Sequence, residues 1–180
     1  LYDATHVPVG DDQKQHLELC RDIAQKFNSD FEAENFLQVP EPLIQKDFSR
    51  IMSLKDGSRK MSKSELSDLS RINLTDNKDM IINKIKKAKT DPLPMPSNLR
   101  DLEERPEAKN LLGIYSSLTN SSLEKSIEMF AGKNFSEFKE KLSEVLVDRI
   151  QPISEEIKKL LNDKLYLDNI LLEGVERANI

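Results

Sequence analysis

Two short stretches carry residue types in an order that suits chemistry. The first is Lys60-Met61-Ser62-Lys63-Ser64, preceded by Gly57 and Arg59. Two lysines three residues apart can neutralise charge that develops on a polyphosphate, and the hydroxyls of Ser62 and Ser64 can add hydrogen bonds. Gly57 is expected to serve as a hinge that lets this basic loop open and shut. Most Lys/Ser runs are solvated polar loops, but this pentapeptide arises by chance only about once in ten thousand chains of this length at average residue frequencies. The second stretch is Gly10-Asp11-Asp12-Gln13, between a β-like run at residues 7–9 and an amphipathic segment. Backbone donors at the head of a helix are a common way to hold an anion.

The surrounding elements must position these groups. Leu17, Cys20, Ala24 and Phe27 recur at i, i+3, i+7 and i+10, with Leu19 and Ile23 beside them, which predicts an amphipathic helix ending near residue 28. Asp11 and Asp12 stand where acceptors suit the free N–H groups of its first turn. Residues 7–28 thus read as strand, glycine turn, helix. The two prolines of residues 39–44 predict extended chain or loop. Residues 51–54, Ile-Met-Ser-Leu, read as a short buried strand that feeds the basic loop. Residues 64–70 suit a helical turn, and residues 72–74 a further short extended piece.

From Thr75 the pattern turns helical. Thr75 is the expected cap of a helix with Ile81, Ile82, Ile85 and Ala88 on one face. Residues 91–98 hold three prolines and read as a linker or long loop. Ser121 and Glu124 have capping-box spacing, Gly132 suits a helix stop, and Asn134 and Glu137 repeat the box. Behind them come Phe138, Leu142, Val145, Leu146 and Ile150, until Pro152 breaks or kinks the run. A last helix carries Ile157, Leu160, Leu161 and Leu165. The chain therefore divides into a part of α/β character, residues 1–74, and an α-helical part, residues 75–180.

Composition narrows the function classes. A net charge of −5 argues against a surface that wraps nucleic acid throughout, while leaving room for a local basic patch. Cys20 is the single cysteine, so no intrachain disulfide forms, and His6 and His16 are too sparse for a metal site. No apolar run approaches the roughly 20 residues that span a bilayer. A reducing cytoplasm is the expected compartment. The opening Leu1 reads like the middle of a domain, which suggests a fragment.

Residues 60–64 match the KMSKS signature of the class I aminoacyl-tRNA synthetases. VPVGDDQKQHLELCRDIAQKFN, residues 7–28, closely resembles the corresponding segment of bacterial tryptophanyl-tRNA synthetases. RIMSL, residues 50–54, stands where that family has the strand leading into the loop. VLVDRIQPISEEI and LLEGVERANI resemble its C-terminal helices. The resemblance runs over nearly the whole chain. Tyrosyl-tRNA synthetases share the fold, and QKQHLEL favours the tryptophan family over them.

The resemblance implies the C-terminal part of a Rossmann-like catalytic domain (1–74), followed by an α-helical tRNA (anticodon)-binding region (75–180), mostly helical overall. It implies ATP-dependent attachment of L-tryptophan to tRNA(Trp) through tryptophanyl-adenylate, with Mg2+ on the phosphates and a homodimeric whole protein. Gly10, Asp11 and Asp12 match the nucleotide-contacting turn, and Gln13 the glutamine that helps hold the α-amino group. Ile51 matches a position whose backbone meets the adenine. Lys60, Met61, Ser62, Lys63 and Ser64 match the mobile loop over the triphosphate, with Lys60 and above all Lys63 catalytic. On residue type alone, Asp11 and Asp12 are also simple helix caps, Gln13 an exposed helix residue and Ile51 core.

Two departures stand against these matches. The class needs a HIGH-type motif, and neither THVPVG nor KQHLEL is one. The acidic residue that reads the indole N–H in this family would lie just before Leu1. The chain by itself is therefore expected not to form the adenylate. The run NKIKKAK, with Lys84, Lys86, Lys87 and Lys89, could touch tRNA phosphates or be the wet side of a helix. A non-catalytic helical module that binds RNA or protein is the alternative from a different class.

Overall fold

A computed structural model describes residues 3–44 and 50–179. The chain divides into two compact units, Leu1–Arg50 and Ile51–Ile180, each described here by itself.

The first unit is a βαβ arrangement. Strand β1 (His6–Pro8) is followed by a 3-10 turn (Asp11–Gln13), helix α1 (Lys14–Asp30) and strand β2 (Glu41–Leu43). The strands pair in parallel, His6 opposite Glu41 and Pro8 opposite Leu43. Parallel strands need a long crossover, and α1 supplies it. Each strand contains a proline, which removes a ladder donor, so flanking groups extend the pairing: Glu41 N donates to the Thr5 carbonyl and Val9 N to that of Leu43. The return from α1 is tied down by side chains. Arg21 donates to the Pro40 carbonyl at 2.6 Å and pairs with Glu41, while Asn28 exchanges two hydrogen bonds with the backbone of Leu37. Phe27 packs on Phe31 and Phe36, with ring centroids 4.6 and 5.8 Å apart. Of the expected apolar stripe, Leu17 and Ala24 are buried, but Cys20, Leu19 and Ile23 are exposed.

The second unit opens with a hairpin, β3 (Met52–Ser53) and β4 (Asp56–Lys60), and continues through a 3-10 turn (Asp68–Ser70). Five helices follow: α2 (Lys78–Lys87), α3 (Pro106–Thr119), α4 (Leu123–Phe130), α5 (Phe135–Asn162) and α6 (Lys164–Ala178). The expected α/β plus α class, mostly helical, is what forms. The core gathers Leu54, Ile81 and Ile85 with Leu111, Leu112, Ile127, Phe130, Phe138 and Leu142. Phe130 meets Tyr115 and Phe138 edge-on at 5.0 and 4.8 Å. Burying side chains of this size stabilises the fold by about 1.5–3 kcal/mol each.

Several local expectations shift. Asn77, not Thr75, caps α2, its side-chain oxygen Oδ1 accepting from Met80 N; Ile82 faces outward. Ser122, not Ser121, caps α4 by accepting from Lys125 N. Gly132 stops α4 in a left-handed conformation, φ 70°, as expected of a glycine there. The proline-rich segment 91–98 is not a free linker. Met95 is buried and exchanges backbone hydrogen bonds with Lys133 and Gly132, and Arg105 holds Asp91 with two bonds of 2.7 and 2.9 Å. Pro152 does not break α5, which runs on to Asn162. Its ring is exposed, so water can serve the carbonyl that loses its donor. Among the described residues no helix is long and apolar enough to cross a membrane.

Candidate functional site

The lysine-bearing segment grows out of the β3–β4 hairpin. Ser53 pairs with Asp56 and Met52 with Lys60, with a register shift between them. At the start of β4 Asp56 accepts from the backbone and hydroxyl of Ser58, at 3.0 and 2.6 Å. Those bonds, the hydroxyl's first, hold its carboxyl below the usual range. Residues 56–60, expected to be loop, are strand throughout, and Lys60 ends that strand. The loop proper begins at Met61, whose N–H donates to the Ile51 carbonyl at 3.0 Å and whose side chain packs against the core. Ser62 and Ser64 bond each other through their hydroxyls at 2.9 Å, and Ser64 N donates to the Ser62 hydroxyl. Lys60 and Lys63 are exposed. The loop is thus a rooted platform: one apolar residue inward, two cations outward. Ile51 is 45% exposed, so it is not core. Its backbone lies one hydrogen bond from the start of the loop.

Gly57 is not a hinge. It sits buried within β4, where an added Cβ would lie 2.5 Å from the backbone of Pro106 and Glu107 at the head of α3. A glycine inside a strand signals such a close approach. Glu107 fixes the same contact. It pairs with Lys89 at 2.8 Å, and its carboxyl is held below the usual range by that bond first and by backbone N–H groups, Gly57's among them. Two further ties anchor the hairpin. The Asn110 side chain bonds both the N–H and the carbonyl of Met52, each at 2.9 Å. Leu54, buried at the hairpin tip, takes backbone bonds from both sides: its N–H donates to Ser70, and its carbonyl accepts from Lys89.

The lysines of residues 84–89 do different jobs. Lys84 is buried and pairs with Asp76 at 2.6 Å and Asp68 at 2.7 Å, so it belongs neither to a wet face nor to a phosphate surface. Lys89 is the partner of Glu107. Lys86 and Lys87 are exposed. Lys139 of α5 donates to the carbonyls of Lys86 and Ala88, capping the C-terminus of α2, and burial pushes its ammonium pKa down. Beside it a groove of about 840 Å³ between α2 and α5 is lined by cations such as Lys78 and Lys86 and by Glu140, Glu144 and Asp148.

In the first unit the strand–turn–helix layout forms as expected. Gly10 caps the 3-10 turn, accepting from Gln13 N at 3.0 Å, and Gln13 occupies the cap position of α1. Asp11 and Gln13 are exposed; the side chain of Asp12 lies outside the description. Among the described residues no group of three or more His, Cys, Asp or Glu is placed to hold a metal.

Sequence reasoning missed Asn110, Glu107 and the Lys84 cluster, because their partners lie far along the chain.

Residues 1–151 match the family of class I tRNA synthetases (W and Y). The chain is 53% identical to a tryptophan–tRNA ligase of Caulobacter vibrioides, over 99% of this chain and 52% of that protein. It is 54% identical to that of Rickettsia felis, over 100% and 54%. It spans about half the length of these relatives. Among solved structures it is similar to the tryptophanyl-tRNA synthetase of Mycoplasma pneumoniae, with a TM-score of 0.73 and 32% identity over 88% of this chain and 49% of that one. It is also similar to that of Campylobacter jejuni in complex with ADP and tryptophan, with a TM-score of 0.63 and 26% identity over 98% and 53%. A hairpin-rooted KMSKS loop, a βαβ turn and these likenesses agree: the chain belongs to the class I tRNA synthetases of the W and Y group.

Proposed function

We propose that the whole protein joins L-tryptophan to tRNA(Trp) in two steps driven by ATP. The tryptophan carboxylate attacks the α-phosphorus, forming tryptophanyl-adenylate as pyrophosphate leaves. A hydroxyl of the terminal tRNA ribose then attacks the activated carbonyl, and AMP departs. The protein need supply little covalent chemistry; positioning and charge stabilisation lower the barrier.

The observation that carries this reading is the build of residues 60–64. Met61 is drawn to the core while Lys60 and Lys63 stay exposed at the end of an anchored hairpin. In our reading Lys63, with Lys60, meets the charge that develops on the phosphates. Ser62 and Ser64 shape the loop and add donors, and Met61 roots it. The backbone of Ile51 meets the adenine. Gly10, Asp11 and Asp12 contact the nucleotide, and Gln13 helps hold the α-amino group. Mg2+ would arrive on the phosphates; no carboxylate cluster among the described residues fits it, and no step is routed through it. Residues 1–74 serve catalysis and residues 75–180 tRNA (anticodon) binding. The working protein is a cytoplasmic homodimer. The 180 residues alone contain no HIGH-type segment and are expected to be inactive.

Amino-acid-dependent exchange of radioactive pyrophosphate into ATP tests the reading on the whole protein. Exchange with L-tryptophan and not L-tyrosine is the expected result. Exchange with tyrosine, or with neither, overturns it.

A further inference from the structure

The strongest unexplained feature is a buried lysine. Lys84 lies in the middle of α2 with its ammonium on two carboxylates, Asp76 (1% exposed) and Asp68, at 2.6 and 2.7 Å. A buried ion pair rarely adds net stability over apolar packing, because desolvating both charges offsets their attraction. Its value then lies in the geometry it fixes. Here the geometry leads to the loop. Asp68 accepts from Lys84, from Asn73 at 2.9 Å and from Arg71 at 3.1 Å. Arg71 in turn donates to the Glu65 carbonyl at 2.9 Å, the residue after the KMSKS signature. Asp76 accepts from Asn73 N at 2.9 Å, closing the ring of contacts. With the hairpin fixing Met61, both ends of residues 61–65 are held.

We propose that Lys84 is a positioning residue for this loop: it gathers Asp68 and Asp76 at the loop exit, and Asp68 holds Arg71 on the Glu65 carbonyl. The clamp restricts motion to residues 62–64 and delivers Lys63 at a set height. Misplacing a catalytic group by about 1 Å can cost about 100-fold in rate. This role rests on the proposed function.

Two variants of the whole protein test it. Lys84→Met/Asp76→Asn removes the buried charges together and leaves the shapes nearly unchanged; Arg71→Gln cuts the last link alone. In both, the kcat of tryptophan-dependent pyrophosphate exchange should fall at least tenfold, with the KM for tryptophan within twofold. Backbone amides of residues 62–67 should exchange hydrogen at least tenfold faster. Should the double variant fail to fold, Arg71→Gln decides. An unchanged kcat, or unchanged amide exchange, in Arg71→Gln overturns the proposal. If the unsubstituted protein shows no tryptophan-dependent exchange, the proposed function fails, while the amide measurement still decides whether the clamp exists.

Discussion

Asn110 on α3 completes the edge of the hairpin as another strand would: its amide accepts from Met52 N and donates to the Met52 carbonyl, both at 2.9 Å. Truncation leaves two backbone groups without partners beside Ile51. Asn110→Ala should lower stability by about 1–3 kcal/mol, the cost of unsatisfied buried groups. It should also raise the KM for ATP more than that for tryptophan. Urea unfolding and steady-state exchange kinetics measure the two effects.

Gly57 has no room for a side chain. A Cβ at 2.5 Å from the α3 backbone forces the hairpin away from Pro106. Gly57→Ala should destabilise by about 1–3 kcal/mol, as overpacking does. Had Gly57 been a hinge, alanine would slow loop motion with little loss of stability; comparing the melting temperature with kcat separates the two.

Acid should loosen the same contact. The Lys89 and backbone bonds to Glu107 hold its carboxyl below the usual range. A depressed carboxylate contributes stability that is complete above its unfolded pKa and is lost as pH falls through its folded one. Asp56, lowered chiefly by the Ser58 hydroxyl, acts in the same direction. Stability should therefore fall as pH drops below about 4.5, the ordinary glutamate range. Glu107→Gln should flatten that slope. Urea midpoints across an acid series give the answer.

Lys63 is exposed, and its removal should not disturb the fold. Lys63→Ala should change stability by less than about 0.5 kcal/mol. It should lower kcat for adenylate formation by about 100- to 1,000-fold, the size expected for one donor to developing charge. A large stability loss would mean the residue is structural instead.

What could be read from the residues was mostly local. The glycine turn before α1 and the helical character beyond Thr75 follow from periodicity and turn chemistry, and the structure shows both; of the buried strand expected at residues 51–54 only Met52–Ser53 forms, with Ile51 exposed and Leu54 in the turn. The caps of α2 and α4 slipped by one or two residues because Asn77 and Ser122 compete with equally good neighbours. Pro152 is expected to break or kink the run; it does not break α5, which has a long apolar face to bury and tolerates one missing bond on its wet side. Lys84 reads with Lys86, Lys87 and Lys89 as a phosphate contact or the wet side of a helix, since only a contact with Asp76 and Asp68 reveals its inward direction. Gly57 was read for its freedom rather than its size, because nothing nearby in sequence announces the approach of α3.

The central proposal is that the loop at residues 60–64 binds the nucleotide. Hydrogen exchange of the whole protein, with and without ATP plus the unreactive alcohol of tryptophan, tests it most directly. The account predicts slowed amides at residues 61–65 on adding the ligands together. Unchanged exchange at residues 61–65 under saturating ligand would contradict it.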